Sequence, residues 1–149
     1  MKKGQRPKVK SSQLRFSLDN VDSRIVYHII KKHSNCYSVA GSVGPYGACL
    51  HDGSEYSGHY LQGDNAVTHQ SLVEWHRDRI QALQEGGVSL LAVETIPMSC
   101  EALAILDCIY EGGLLSSWIS FTLRDEEHLA GGETVEKAIR QVKNHQMAR

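Results

Sequence analysis

The sequence predicts an α/β protein built on a short parallel sheet. Three observations carry this reading. Helical and strand patterns alternate along the chain. The strand candidates are continuously apolar, as strands buried on both faces are, and glycine pairs or capping residues punctuate the joins. The 149 residues are enough for one domain with a core, and 41% apolar against 22% charged residues is ordinary for a globular chain. A formal net charge of -1 creates no overall field that would recruit nucleic acid or a membrane surface.

Residues 1–20 are basic and poor in large apolar groups, with Lys2, Lys3, Arg6, Lys8, Lys10 and Arg15 all preceding the first acid, Asp19. They are expected to form a disordered tail, with the folded domain over 21–149. Asp22 is placed to cap a helix through Ile25, Val26, Ile29 and Ile30. "CYSVAG" then reads as a strand stopped by Gly41. Thr68 caps the next helix, whose apolar stripe is Leu72, Trp75, Ile80 and Leu83 and whose end is Gly86–Gly87. "VSLLAVET" reads as a strand buried on both faces. Pro97 and Ser99 open a helix over 100–110, stopped by Gly112–Gly113. "SWISFT" reads as a third buried strand, "LRDEEHLAGGE" as a loop, and Thr134 as the cap of a last helix carrying Val135, Ala138, Ile139 and Val142. An open doubly wound sheet and a slice of a (β/α)8 barrel both fit this order. Both place function beyond the carboxyl ends of the strands.

Three segments therefore matter. "GSVGPYG" has neither GxGxxG nor GxxxxGK[ST] spacing, and the next helix begins only at Thr68, so it is not a phosphate loop. Ser42 stands in GSVG rather than GxSxG, which excludes a nucleophile elbow. What remains is a turn, or a loop folded over the active end of the sheet. Glu94 ends an otherwise apolar strand. A carboxylate there needs a partner, either an arginine or the ammonium group of a small ligand. After the third strand, Arg124 or Asp125 is positioned to face a site. Neither the seven-residue spacing of His69 and His76 nor the eight-residue spacing of Cys100 and Cys108 is a zinc signature. The four cysteines, Cys36, Cys49, Cys100 and Cys108, show no CxxC pairing and read as reduced thiols in the cytoplasm. No apolar run is long enough to span a bilayer.

"VAGSVGPYGACLHDGSEYSGHY", "LLAVETIP" and "ISFTLRDEEHLAGGET", in that order, resemble the homocysteine S-methyltransferase family from about residue 22 to about residue 140. The resemblance implies a (β/α)8 TIM barrel that moves a methyl group from S-methylmethionine or S-adenosylmethionine to the sulfur of homocysteine, giving methionine. It implies a zinc ion held by three cysteines in the parent family. By the same resemblance Glu94, with Thr95 beside it, matches the strand-end ligand of the homocysteine amino group. Ser42, Gly44 and Tyr46 match the segment over the barrel mouth. The family's first two strands and its "NC" and "GGCC" zinc words have no counterpart here, and none of the four cysteines matches them. The expectation is a partial barrel of about three parallel strands, not closed. It carries substrate-binding residues but no catalytic residue and no metal ligand, is inactive alone, and is prone to associate with itself or with a full-length homologue.

Overall fold

The structure is a computed structural model, and it describes Lys32 and residues 39–113 and 116–147. The expected tail and the expected helix through Ile25–Ile30 lie outside the described residues. Within them, three strands alternate with three helices in the order β1 (Gly41–Val43), α1 (His69–Glu85), β2 (Leu90–Ile96), α2 (Ser99–Glu111), β3 (Ser116–Phe121) and α3 (Val135–Met147). The sheet order is β1-β2-β3 and both pairings are parallel. Between β1 and α1 the chain makes three short 3-10 turns, Tyr46–Leu50, Ser54–Tyr56 and His59–Leu61.

The sequence explains most of these boundaries. The Thr68 side chain accepts a hydrogen bond from Ser71 N at 3.1 Å, and α1 closes at Gly86, with Gly87 in the left-handed region. Thr134 Oγ1 accepts from Lys137 N at 3.3 Å and so caps α3. The start of α2 departs from expectation. Its N-cap position is Met98, which has no capping side chain; the Glu133 carboxylate, from the loop after β3, accepts from the backbone amide of Ser99 instead. A carboxylate there satisfies an orphan amide and faces the positive end of the helix dipole.

The central strand β2 is buried as a parallel strand should be, with Leu91, Ala92, Val93 and Ile96 inside. Leu72, Val73, Ile80 and Leu83 of α1 and Ala102, Ile105, Leu106 and Ile109 of α2 complete the core. The two helices thus pack side by side over one face of the sheet.

Two strand expectations need correction. Gly41 does not stop the first strand; it begins the described one, since Val39 and Ala40 are outside it. The reason is steric. A Cβ on Gly41 would lie 2.7 Å from Leu83 Cδ2, so glycine at this strand position is what lets α1 close onto the sheet. The third strand is not buried. Its residues alternate between exposed and half-buried, and Trp118 is 40% exposed. Among the described residues β3 pairs only with β2. Its seam with α3 stays open as a groove of about 300 Å³ lined by Ser117, Ile119, Phe121, Ile139, Val142 and Lys143.

Gly41→Ala is expected to lower stability by about 1–3 kcal/mol, because fully buried Leu83 has nowhere to move, whereas Gly44→Ala, which meets nothing within 4 Å, is expected to stay within about 0.5 kcal/mol of the parent. Urea unfolding of the two variants checks the contrast.

Candidate functional site at the carboxyl ends of the strands

The parallel register sets Ser42 opposite Ala92 and Val43 opposite Val93. Gly44 therefore leaves the sheet level with Glu94. On the other side the register breaks: Val93 pairs with Ile119, but the next pair is Ile96 with Phe121. The central strand spends one more residue than its neighbour over this step, which is a β-bulge at Glu94–Thr95. Thr95 has φ of 64°, in the left-handed region. A β-branched residue there costs about 1–3 kcal/mol and persists only where its surroundings over-determine it. The strand is re-secured just beyond, where Thr122 N donates to Ile96 O at 3.0 Å. A bulge of this kind re-aims side chains at a strand end, and Glu94 and Thr95 are both half-buried.

The long connection after Gly44 is tied down by one group. Glu101, in the first turn of α2, is completely buried. Its Oε1 accepts from Tyr46 N at 2.6 Å and from His76 Nε2 at 2.9 Å; its Oε2 accepts from the Tyr60 hydroxyl. The carboxylate requires a donor at Nε2, which fixes the His76 tautomer. The buried Nδ1 of His76 then has no hydrogen-bond partner among the described residues. Burial, then the Glu101 charge, push the Tyr60 phenol far above its ordinary range, so it remains a donor.

Aromatic packing reinforces the tether. The Tyr46 ring lies 5.6 Å from that of Tyr60 and 5.2 Å, edge-on, from that of Trp75. Gly47 is required in this cluster, because a Cβ would come within 2.4 Å of the Tyr60 ring and 2.6 Å of Glu55 N. The other loops at this end are knitted to the same frame. Gln62 Nε2 donates to Gly131 O at 3.3 Å, and Gly131 N donates to Pro97 O at 3.0 Å.

The five residues singled out from the sequence thus all lie at the carboxyl ends of β1 and β2, or just beyond. Ser42 is half-buried in β1 and Gly44 is exposed at the corner. Tyr46 is anchored through its backbone, with its ring committed to Tyr60 and Trp75. Arg124 and Asp125 are a different matter. Asp125 is exposed and organises its own turn, accepting from the backbone amides of Glu127 and His128 and bonding His128 Nδ1 at 2.8 Å. The bond to His128, with those amides, holds its carboxyl below the usual range. Arg124 pairs with it on the surface.

Glu101, His76 and Tyr60 were not foreseen. The spacing of His69 and His76 gives no sign of acidic partners. Each has one, but both come from α2: Glu101 for His76, and Asp107 for His69 at 2.9 Å. Spacing along one helix carries no trace of a partner on another. The available signal was Glu101 itself, an acid in the otherwise apolar run "SCEALAIL".

A sequence profile for homocysteine S-methyltransferase matches residues 10–148. Homocysteine S-methyltransferase YbgG of Bacillus subtilis is 46% identical over 94 residues, which are 63% of this chain and 28% of that protein. Homocysteine S-methyltransferase 1 of Arabidopsis thaliana is 47% identical over 102 residues, 68% of this chain and 30% of that protein. The chain thus matches under a third of the length of these relatives. The crystal structure of the homocysteine methyltransferase MmuM from Escherichia coli, metallated form, superposes with a TM-score of 0.65 at 37% identity, over 82% of this chain and 41% of that one. A parallel sheet whose two outer strands, β1 and β3, are open edges among the described residues, with its loops gathered at the strand ends, is a partial (β/α)8-type barrel, and the chain that forms it belongs to the homocysteine S-methyltransferase family.

Proposed function

We propose that this chain is the part of a homocysteine S-methyltransferase that grips the amino-acid end of homocysteine. The bulge at Glu94–Thr95 carries the reading: it is a strained turn at the end of the buried central strand, and it presents a half-buried carboxylate. A carboxylate at that position accepts N–H bonds from an ammonium group. The exposed corner at Gly44 leaves room beside it, and Ser42 adds a hydroxyl. The reaction proposed for the whole enzyme is methyl transfer from a sulfonium donor, S-methylmethionine or S-adenosylmethionine, to the homocysteine sulfur, giving methionine. In that reaction the residues of this chain bind and orient the acceptor and keep its backbone end out of water.

Zinc in the parent family supplies activation of the substrate thiol. The described residues do not fit such a site. Among them no group of three or more His, Cys, Asp or Glu side chains is arranged to hold a metal ion. Burial first, then neighbouring carboxylates, push the Cys100 thiol up to about 11. Burial likewise takes Cys108 to about 11, and its Sγ donates to Val73 O at 3.2 Å. A metal ligand needs the opposite shift, toward thiolate. Cys36 lies outside the described residues. The chain alone is therefore inactive in this proposal. A second reading is favoured by the open flank of β3 and exposed Trp118: a noncatalytic module that docks on a full-length homologue. No partnership with nucleic acid or membrane is proposed. No described helix is long and apolar enough to cross a membrane, and thiols such as Cys100 and Cys108 suit the cytoplasm, where we place the chain.

Glu94→Gln is expected to weaken homocysteine binding about tenfold to a hundredfold by titration calorimetry, the loss of one charge-assisted bond. Binding undiminished in that variant refutes the amine role. Purified chain supplied with zinc, homocysteine and either sulfonium donor is expected to yield no methionine and to retain no stoichiometric zinc; turnover together with bound zinc overturns the division of labour. With thiol values near 11, Cys100 and Cys108 expose little thiolate at pH 8, so iodoacetamide is expected to label them slowly in the native chain and fast in urea, read by mass spectrometry.

A further inference from the structure

Glu101 is not among the residues expected to touch a ligand, yet it is bonded directly to one of them, Tyr46. It accepts from Tyr46 N, just past the Gly44–Pro45 corner, and from the Tyr60 hydroxyl, near the far end of the same loop. His76 holds the carboxylate from α1. The helix that carries Glu101 grows directly out of the Glu94–Thr95 bulge through Ile96, Pro97 and Met98. One completely buried group therefore ties both ends of the loop to the strand end beneath it.

Stability alone does not account for this arrangement. Well-packed apolar side chains in place of a buried polar pair are commonly as stable or more so. Here His76 also keeps a buried Nδ1 with no partner among the described residues, an expense that packing would avoid. What directional bonds supply is a single loop position, because the carboxylate oxygens accept only where Tyr46 N and the Tyr60 hydroxyl now stand.

We propose that Glu101, held by His76, is a positioning residue for homocysteine recognition: it fixes the seat of the Gly44–Tyr60 loop over the Glu94–Thr95 bulge. The inference rests on the homocysteine reading above and assigns to that site the group that sets its shape. Glu101 touches no substrate in this account; it acts through the loop.

The test uses the whole 149-residue chain with Trp118→Phe, which leaves Trp75, 5.2 Å from the Tyr46 ring, as the only tryptophan. Glu101→Gln and Tyr60→Phe are compared singly and together. Both are expected to keep the helical circular-dichroism signal, shift Trp75 emission to the red and speed proteolysis within 44–67. Both are expected to weaken homocysteine binding by about tenfold or more, the scale of a bond to a charged group. Because both act on one seat, the double variant is expected to lose no more than the worse single. Fully additive losses, or unaltered affinity once the loop has moved, overturn the positioning role. Unaltered Trp75 emission and proteolysis in both variants overturn the seat itself. A parent chain that binds no homocysteine, alongside variants that still release the loop, refutes the homocysteine reading and leaves the seat standing. Should Glu101→Gln fail to fold, Tyr60→Phe, which removes one donor and no charge, decides the matter.

Discussion

The carboxyl end of this sheet depends on the desolvation of one carboxylate. A charge with no solvent access is tolerated only if its oxygens are fully occupied by donors. Glu101 takes one from α1 and two from the loop after β1. Withdrawing the loop would strip it of Tyr46 N and the Tyr60 hydroxyl and leave a buried charge on the His76 bond alone. The loop is polar, glycine-rich and built of single 3-10 turns, and such a segment left to itself would be mobile. It is ordered here because leaving would strand the acid beneath it.

The same frame explains how Thr95 keeps a left-handed backbone. Strain of this kind relaxes unless both sides of it are fixed. Before the bulge, Val93 is clamped between Val43 and Ile119 by the ladder. After it, Ile96 is buried, Thr122 N bonds its carbonyl, and Glu133 secures the first amide of α2. The strained residue lies between two segments that cannot shift without disturbing the core or a buried hydrogen bond. Glu94 is consequently displayed by rigid structure, which is what a binding group needs if its precision is not to be lost in loop motion.

Local signals were legible in the sequence, and partners were not. The Thr68 and Thr134 caps, the glycines that end α1 and α2 and the burial of Leu91, Ala92 and Val93 follow from single residues and short-range period, and the structure has them. The limits of β1 were misread because glycine usually breaks a strand; its use at Gly41, to admit Leu83, depends on a helix far along the chain. The exposure of β3 was misread because an apolar run does not say whether a neighbour is present on its second side. Glu101, His76 and Tyr60 are far apart in sequence, so their union required the fold. The strand-end position of Glu94 was legible because it depends on a strand pattern and the direction of parallel sheets. The bulge that turns it was not, because a register shift belongs to a pair of strands.

The distribution of packing around β2 bears on how the chemistry is divided. On the β1 side, the loop, α1 and α2 form a closed layer with Leu72, Ile80, Ile105 and Leu106 almost wholly inside. On the β3 side, Trp118 and Ile139 remain substantially exposed and the groove beside α3 is unfilled. The closed side contains every element of the proposed amine grip: the bulge, the corner at Gly44, and the buried acid that seats the loop. Its shape is therefore fixed by contacts within this chain. The groups that would activate sulfur need low-pKa thiols, and burial in this layer drives Cys100 and Cys108 the other way. A compact apolar layer that holds an acceptor's amino end in place is the wrong environment for generating a thiolate. In the proposed enzyme the two tasks accordingly fall to different stretches of the barrel wall, and closure would require that wall to pair with both edges of the described sheet, β1 and β3.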